Sequence, residues 1–280
     1  MSDSLVTEAP AKLNLSLRVL RKREDGFHEI ESLMVRVPDL CDRLTVRLSD
    51  EDAFTCSDRT VPADGSNLVI KALSAYRAAS GFARDVAIHL EKNIPHGAGL
   101  GGGSSDAAAT LQSLDQLNGN LLGNGRLIEI AAGLGSDIPF FLGSPAARVR
   151  GRGEVIEPAT PPPAMPVVLL KPSFGVATPD AYRRWLDSKE LPGISYAPQV
   201  FPWGELSNDL ERPVFSKHLF LAEMKAWLLK RPEVSGALMS GSGSTMFALL
   251  RDESAAEGLV AAARSELDPT LWAWHGIIGG

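Results

Sequence analysis

Leu13, Leu15, Leu17 and Val19 alternate with Asn14, Ser16 and Arg18 within residues 5–20. This period of two predicts a strand with one buried face. The alternation stops at residues 21–28, where Asp25-Gly26 marks a hairpin turn, and resumes over 29–37 and again over 42–48. Residues 50–66 read as a strand and a loop. Helical spacing then takes over at 67–79 through Leu68, Ala72, Ala75 and Ala79, with Gly81 closing the segment. A strand at 85–90 leads into a glycine-rich stretch, followed by helical patterns at 106–117 and 123–134. Residues 146–156, broken by Gly151 and Gly153, predict a hairpin. After the proline-rich segment 158–166, the continuous apolar run of Val167, Val168, Leu169 and Leu170 predicts a fully buried strand. Then come a short helix at 179–186, an irregular stretch at 188–202 and an amphipathic helix at 217–230. A strand, a Gly/Ser turn and a strand fill 236–250, with a helix at 255–267 and a closing strand at 271–278. No internal repeat is visible. The proline-rich segment is the expected junction between two domains, 1–160 and 161–280.

The glycine-rich stretch runs His96-Gly97-Ala98-Gly99-Leu100-Gly101-Gly102-Gly103-Ser104-Ser105-Asp106. Glycine lets successive backbone N–H groups curl closely around one object. The helix behind it, with Ser104 or Ser105 expected at its cap, presents unpaired N–H groups at the positive end of a dipole. Together they predict a phosphate site. Gly97, Gly99 and Gly102 satisfy the spacing of the dinucleotide fingerprint, but Pro95 interrupts any strand leading into the turn, and residues 118–126 hold no acid for a ribose. No Lys-Ser or Lys-Thr follows the glycines, and no His-Arg-Asp or Asp-Phe-Gly occurs, so the P-loop hydrolases and the protein kinases are excluded as well.

Composition narrows the class. At 280 residues and 44% hydrophobic the chain can bury a sizeable core. A formal charge of −6 argues against a general nucleic-acid or membrane-surface binder, so the positive charge a phosphate needs must be local. Cys41 and Cys56 have neither metal-ligand spacing nor a disulfide framework, and no dedicated metal ligands are expected. Met1 to Ser4 are polar and no apolar run is long enough to span a bilayer, so a cytoplasmic protein is the expectation.

Three further places carry candidate chemistry. Lys12 stands at the mouth of the first strand; a solvated surface lysine is the plain reading and a functional cation the sharper one. The turn with Arg21, Lys22, Arg23, Phe27 and His28 is either a charged hairpin tip or a rim that stacks and hydrogen-bonds an anionic, ring-bearing ligand. Ser136-Asp137 before an apolar run is either a helix N-cap or a catalytic carboxylate.

Taken together, Pro10-Ala11-Lys12-Leu13-Asn14-Leu15, the segment from Pro95 to Ser105, and Leu238-Met239-Ser240-Gly241-Ser242-Gly243 resemble the three motifs of the galactokinase–homoserine kinase–mevalonate kinase superfamily. Arg23-Glu24-Asp25-Gly26-Phe27-His28 and Gly135-Ser136-Asp137-Ile138-Pro139-Phe140-Phe141 are similar to one branch, whose members phosphorylate a cytidine-diphosphate sugar alcohol in the non-mevalonate isoprenoid pathway. The resemblance implies an α+β, two-domain small-molecule kinase: an N-terminal ribosomal-protein-like domain, a C-terminal ferredoxin-like domain and an active site between them. It implies Lys12 and Asp137 as the catalytic pair. ATP, with Mg²⁺, would take Pro95, His96, Gly97, Ala98, Gly99, Leu100, Gly101, Gly102, Gly103, Ser104 and Ser105, and the Asn67 helix would lie near the adenine. Asn14, Phe27, His28, Pro179, Tyr182, Ser240, Gly241 and Gly243 fall to the alcohol substrate, with His28 reading the cytosine. Phe27 stands where the family commonly has tyrosine, Tyr182 where phenylalanine is frequent, and His96 where an apolar residue is usual. Its partners would be small molecules, in a monomer or a homodimer. The competing readings are a homoserine or mevalonate kinase, which would lack a cytidine pocket, and a catalytically silent relative, against which the retention of Lys12, Asp137 and all three loops argues.

Overall fold

A computed structural model describes residues 3–280; Met1 and Ser2, part of the polar start noted above, lie outside the described residues. The chain forms two compact units whose segments interleave. The first gathers the chain up to Ala11 with 40–96 and 101–145, and the second gathers 12–39, 97–100 and 146–280.

In the first unit, β1 (Ser4–Lys22) begins and β2 (His28–Ser49) ends. Strand β4 (Asp85–Glu91) runs antiparallel to the end of β2, from Arg43 opposite Glu91 to Ser49 opposite Asp85, and β3 (Ala53–Cys56) lies parallel to β4. Helices α1 (Leu68–Ser80), α2 (Gly102–Leu117), α3 (Gly123–Leu134) and α4 (Ile138–Leu142) complete it. Alternation buries Leu44, Val46, Val86, Ile88 and Leu90, and the helices bury Tyr76, Leu111, Leu114 and Phe140. Asn67 caps α1 by accepting from the Val69 N–H at 2.9 Å, and Gly81 ends that helix in the left-handed conformation its φ of 71° requires.

The second unit contains two sheets. In one, the early part of β2 pairs with β5 (Ala146–Gly151), which pairs with β6 (Val155–Pro158), while β1 lies parallel to β9 (Gly204–Asn208), itself antiparallel to β8 (Gln199–Phe201). The other has the order β10 (Val234–Met239), β11 (Met246–Leu250), β7 (Met165–Lys171), β12 (Trp272–Ile278), with every pair antiparallel. With α7 (Leu219–Leu229) between β7 and β10, and α8 (Ala256–Glu266) between β11 and β12, this is the ferredoxin-like arrangement expected. Residues Val167 to Leu170 are fully buried, as their unbroken apolar run predicts.

Several sequence expectations change. The strands read at 29–37 and 42–48 are one 22-residue strand, because β2 stays extended while its partner changes from β5 to β4. The irregular stretch 188–202 contains β8, and both β9 and α6 (Glu211–Lys217) escape the pattern. Helix α6 carries Glu211, which is buried and ion-paired to Lys225 of α7, so a polar residue stands where a core position was.

Residues 97–100 belong to the second unit through backbone contacts. The Leu100 carbonyl accepts from Lys12 N–H at 2.9 Å, the Ala98 carbonyl accepts from Thr245 N–H at 3.2 Å, and the Gly99 carbonyl accepts from the Ser240 hydroxyl at 3.0 Å. The approach leaves no space at Gly99: a Cβ there would lie 2.2 Å from the Ser240 carbonyl oxygen, and φ is +76°. Gly97, with φ +63°, has nothing within 4 Å of such a Cβ. Gly99→Ala is therefore expected to lower the urea midpoint by an amount equivalent to about 3 kcal/mol or more, combining overlap with left-handed strain. Gly97→Ala carries only the strain, about 1–2 kcal/mol. Equal losses for the two variants would contradict this packing.

Candidate active site

In the first unit, α2 starts earlier than its apolar spacing suggests. It begins at Gly102, with Gly101 as N-cap at φ 72° and no side-chain cap. Ser104 and Ser105 therefore lie inside the first turn rather than capping it, which corrects the expectation. The helix start packs closely there: a Cβ at Gly102 would lie 3.0 Å from Ile94 Cγ2 and 3.2 Å from Lys92 Nζ, so a larger residue would push on both side chains. Ser105 N–H bonds to the Gly101 carbonyl at 2.9 Å, whereas the N–H groups of Gly102, Gly103 and Ser104 precede any intrahelical acceptor. They point out of the positive end of a 16-residue helix. The Ser105 hydroxyl is buried and has no hydrogen-bond partner. Beside it, burial raises the Asp106 carboxyl above the ordinary carboxylate range, against the pull of the Lys92 ammonium.

Pro95 is half-buried and His96 exposed at the entrance of the glycine segment. Asn67 uses its amide oxygen for the α1 cap and its nitrogen for the Pro62 carbonyl at 2.6 Å, so both polar ends are engaged locally. Asp137 occupies the N-cap position of α4 but makes no capping bond with its side chain. The bond that normally favours aspartate at such a position is therefore not made.

In the second unit, Lys12 is not a solvated surface lysine. It is 4% exposed, within a run from Ala11 to Leu15 buried on both strand faces, and its Nζ donates to Asn14 Oδ1 at 2.5 Å. Asn14 Nδ2 donates to Ser32 Oγ at 2.8 Å, and Ser32 in turn donates to the Ser16 carbonyl, so the amide is held in one orientation. Gly241, with φ +57°, turns beside this pair: a Cβ there would lie 3.2 Å from Lys12 Nζ and 3.3 Å from Asn14 Oδ1. Asn208 fixes that turn by donating to the Met239 and Gly241 carbonyls at 2.7 and 2.8 Å. The object that the Gly/Ser turn approaches closely is thus residues 97–100 together with Lys12 and Asn14. Ser240 is fully buried and committed to Gly99, and Gly243 N–H bonds to the Ser240 carbonyl at 2.9 Å.

The hairpin tip is built as Asp25-Gly26 predicts, with Arg23 N–H bonded to the Phe27 carbonyl at 2.8 Å and Gly26 at φ 85°. His28 lies against Tyr182, ring centroids 5.3 Å apart, and meets Trp185 edge-on at 6.0 Å. Burial, followed by the Lys22 charge, holds the His28 imidazole below its ordinary pKa, so the ring is neutral at pH 7. Phe27 is half exposed with the Arg152 guanidinium 5.1 Å above its ring. Pro179 opens α5 (Thr178–Arg184), the helix that carries Tyr182. Trp185 was passed over as a site residue, although its i+3 spacing from Tyr182 places both on one helix face; Arg152 and Ser32 carried no sequence signal. Among the described residues no group of three His, Cys, Asp or Glu could hold a metal ion, and no helix is long and apolar enough to cross a membrane.

Comparison with known proteins identifies the family. Residues 67–144 match the GHMP kinases N terminal domain and residues 202–268 the GHMP kinases C terminal domain. The chain is 40% identical to the 4-diphosphocytidyl-2-C-methyl-D-erythritol kinase of Methylacidiphilum infernorum, covering 97% of this chain and 96% of that protein. It is 41% identical to the kinase of the same name from Rhizobium johnstonii, covering 99% and 95%. A crystal structure of a 4-(cytidine 5'-diphospho)-2C-methyl-D-erythritol kinase superimposes with a TM-score of 0.80 at 36% identity, over 99% of this chain and 100% of that one. A likeness that strong over the whole length settles kinship: the chain belongs to the GHMP kinases, which use ATP as co-substrate, and among them to the 4-diphosphocytidyl-2-C-methyl-D-erythritol kinase family.

Proposed function

We propose that the protein, acting in the cytoplasm, transfers the γ-phosphoryl group of ATP to the 2-hydroxyl of 4-diphosphocytidyl-2-C-methyl-D-erythritol, and that residues 1–160 and 161–280 are its two kinase domains. The observation that carries this reading is the 40% identity to a kinase of that name over 97% of the chain. The neutral His28 held against Tyr182 and Trp185 fits it, because neutral imidazole offers one donor and one acceptor beside aromatic faces on which a pyrimidine can stack.

The chemistry asks mainly for position and charge neutralisation. An alcohol is a poor nucleophile at neutral pH, and the loose transition state of phosphoryl transfer spreads negative charge over three oxygens. Asp137 accepts the hydroxyl proton. Lys12, its Nζ oriented by Asn14, faces the migrating phosphoryl group and offsets its charge. The free N–H groups of Gly102, Gly103 and Ser104 bind nucleotide phosphate oxygens at the helix end. A Mg²⁺ ion accompanying ATP fits the same turn, since the buried Ser105 hydroxyl lacks a partner and hydroxyl and phosphate oxygens are the hard ligands this ion takes. Ser105, or Ser104 beside it, would hold the ion, which neutralises phosphate charge when bound. Phe27 and Pro179 border the cytidine pocket.

Asp137→Asn is expected to cut kcat at least ~100-fold with KM for ATP nearly unchanged, the signature of a lost general base. Retention of most turnover would remove Asp137 from that role. The substrate is tested by coupled ADP release with 4-diphosphocytidyl-2-C-methyl-D-erythritol beside homoserine and mevalonate, with turnover expected for the first alone. Activity confined to either of the others would replace the reading. The pH dependence has a definite sign as well: because His28 titrates below its ordinary value, KM for the cytidine substrate should stay flat from pH 8 to 7 and rise only below about 6.5. A rise beginning near pH 8 would contradict a neutral His28.

A further inference from the structure

Three charged side chains lie buried together behind the start of α2, and the proposed reaction uses none of them. Lys92, in the turn leaving β4, donates to Asp106 Oδ2 at 2.8 Å and also to Asp42 Oδ2. The three side chains are 7%, 3% and 0% exposed for Lys92, Asp106 and Asp42. Asp42 is fully engaged, because its Oδ1 accepts from the N–H groups of Asn93 at 2.7 Å and Ile94 at 2.9 Å. The cluster therefore ties together β2 through Asp42, the turn 92–94 through its backbone and lysine, and α2 through Asp106.

That junction is where the glycine segment meets its helix. Asp106 follows Ser105 directly, and the Asp106 carbonyl accepts from Thr110 Oγ1 at 2.7 Å, inside the helix. Gly102 packs closely on the same lysine, where a Cβ would lie 3.2 Å from Lys92 Nζ. A helix start moves as a piece, so a shift of Asp106 carries Ser105 and the three free N–H groups with it. Apolar side chains of equal volume would fill the same space and often stabilise it better than a buried ion pair does. What the charges add is direction: two fixed hydrogen bonds from one ammonium group, with a carboxylate gripping two consecutive backbone N–H groups.

We propose that Asp42, Lys92 and Asp106 are positioning residues, an ion-pair clamp that fixes the first turn of α2 against the turn 92–94 and so sets nucleotide affinity without touching the nucleotide. This deepens the reading of α2 as the phosphate-binding helix and rests on it. The clamp acts on binding more than on the transfer step, because Lys12 and Asp137 lie elsewhere in the chain.

Asp106→Asn tests it with least risk to folding: volume is kept, and the amide oxygen can still accept from Lys92. MgADP affinity is measured by calorimetry and steady-state kinetics with ATP, with urea unfolding to show that each variant is folded. The expected result is a rise of about tenfold in Kd for MgADP and KM for ATP, with kcat and KM for the alcohol within about twofold. Asp106→Ala should show a larger rise of the same kind. A folded Asp106→Ala protein with unchanged nucleotide affinity overturns the clamp and leaves the cluster a structural element. Tighter binding in Asp106→Asn overturns it as well, since that result means a released Lys92 contacts the nucleotide itself. If wild-type protein binds MgADP but phosphorylates none of the alcohols, the substrate reading fails while Kd still decides the clamp; if it binds no MgADP, both fail.

Discussion

The site depends on a contact between backbones. Residues 97–100 lie on the Gly/Ser turn so closely that Gly99 can carry no side chain, and three consecutive carbonyls, those of Ala98, Gly99 and Leu100, are each taken by a named donor. The donors matter as much as the fit. One is the N–H of Lys12 and another the hydroxyl of Ser240, so the position of the glycine segment is tied to the strand carrying Lys12 and Asn14 and to the turn that presses on them. A glycine-rich segment is usually a source of conformational entropy. Here its carbonyls are spent on fixed partners, while the N–H groups that follow, at the start of α2, have no intrahelical acceptor.

At a net charge of −6, any positive potential the chain offers a polyphosphate has to be local. Each unit has its own source of positive potential: the first the N-terminal end of α2, the second Lys12, whose ammonium group is buried and oriented by Asn14. Whereas buried Asp115 and Lys171 bond to backbone and hydroxyl groups, two clusters of buried, ion-paired charges hold geometry nearby. Glu211 and Lys225 form one such pair, and Glu211 also accepts from Met239 N–H at 3.0 Å, just ahead of the Gly/Ser turn. Asp42, Lys92 and Asp106 form the other, just behind the glycine segment. Each cluster sits one step away from a loop that must keep its shape.

Much of this was legible in the sequence, and the limits have physical causes. Period-two alternation found β1, the unbroken apolar run found the central strand β7, and the helical spacing over 67–79 with Gly81 behind it bounded α1 to within a residue. The helix after the glycines was placed too late because Gly102 and Gly103 are poor helix formers on propensity, and the packing of Gly102 against Lys92 and Ile94 is visible only in the fold. Helix α6 was missed because it is short and its buried residues mix Glu211, whose partner lies 14 positions away, and Pro213 with the apolar Val214 and Phe215. The division near residue 160 follows composition, whereas the compact units interleave because β1 and β2 each contribute to both. Lys12, Asn14 and His28 were named from motifs, but what holds them, Ser32, Gly241, Tyr182 and Trp185, is distant in sequence and becomes visible only in the fold.

The central claim is that the glycine segment is already shaped before nucleotide arrives. Amide hydrogen exchange of Lys12 and Thr245, whose N–H groups bond to the Leu100 and Ala98 carbonyls, measures this directly in the ligand-free protein. The account predicts exchange as slow as that of the central strand β7. Exchange near the unprotected rate, slowed only after MgADP is added, would show instead that the ligand builds the loop.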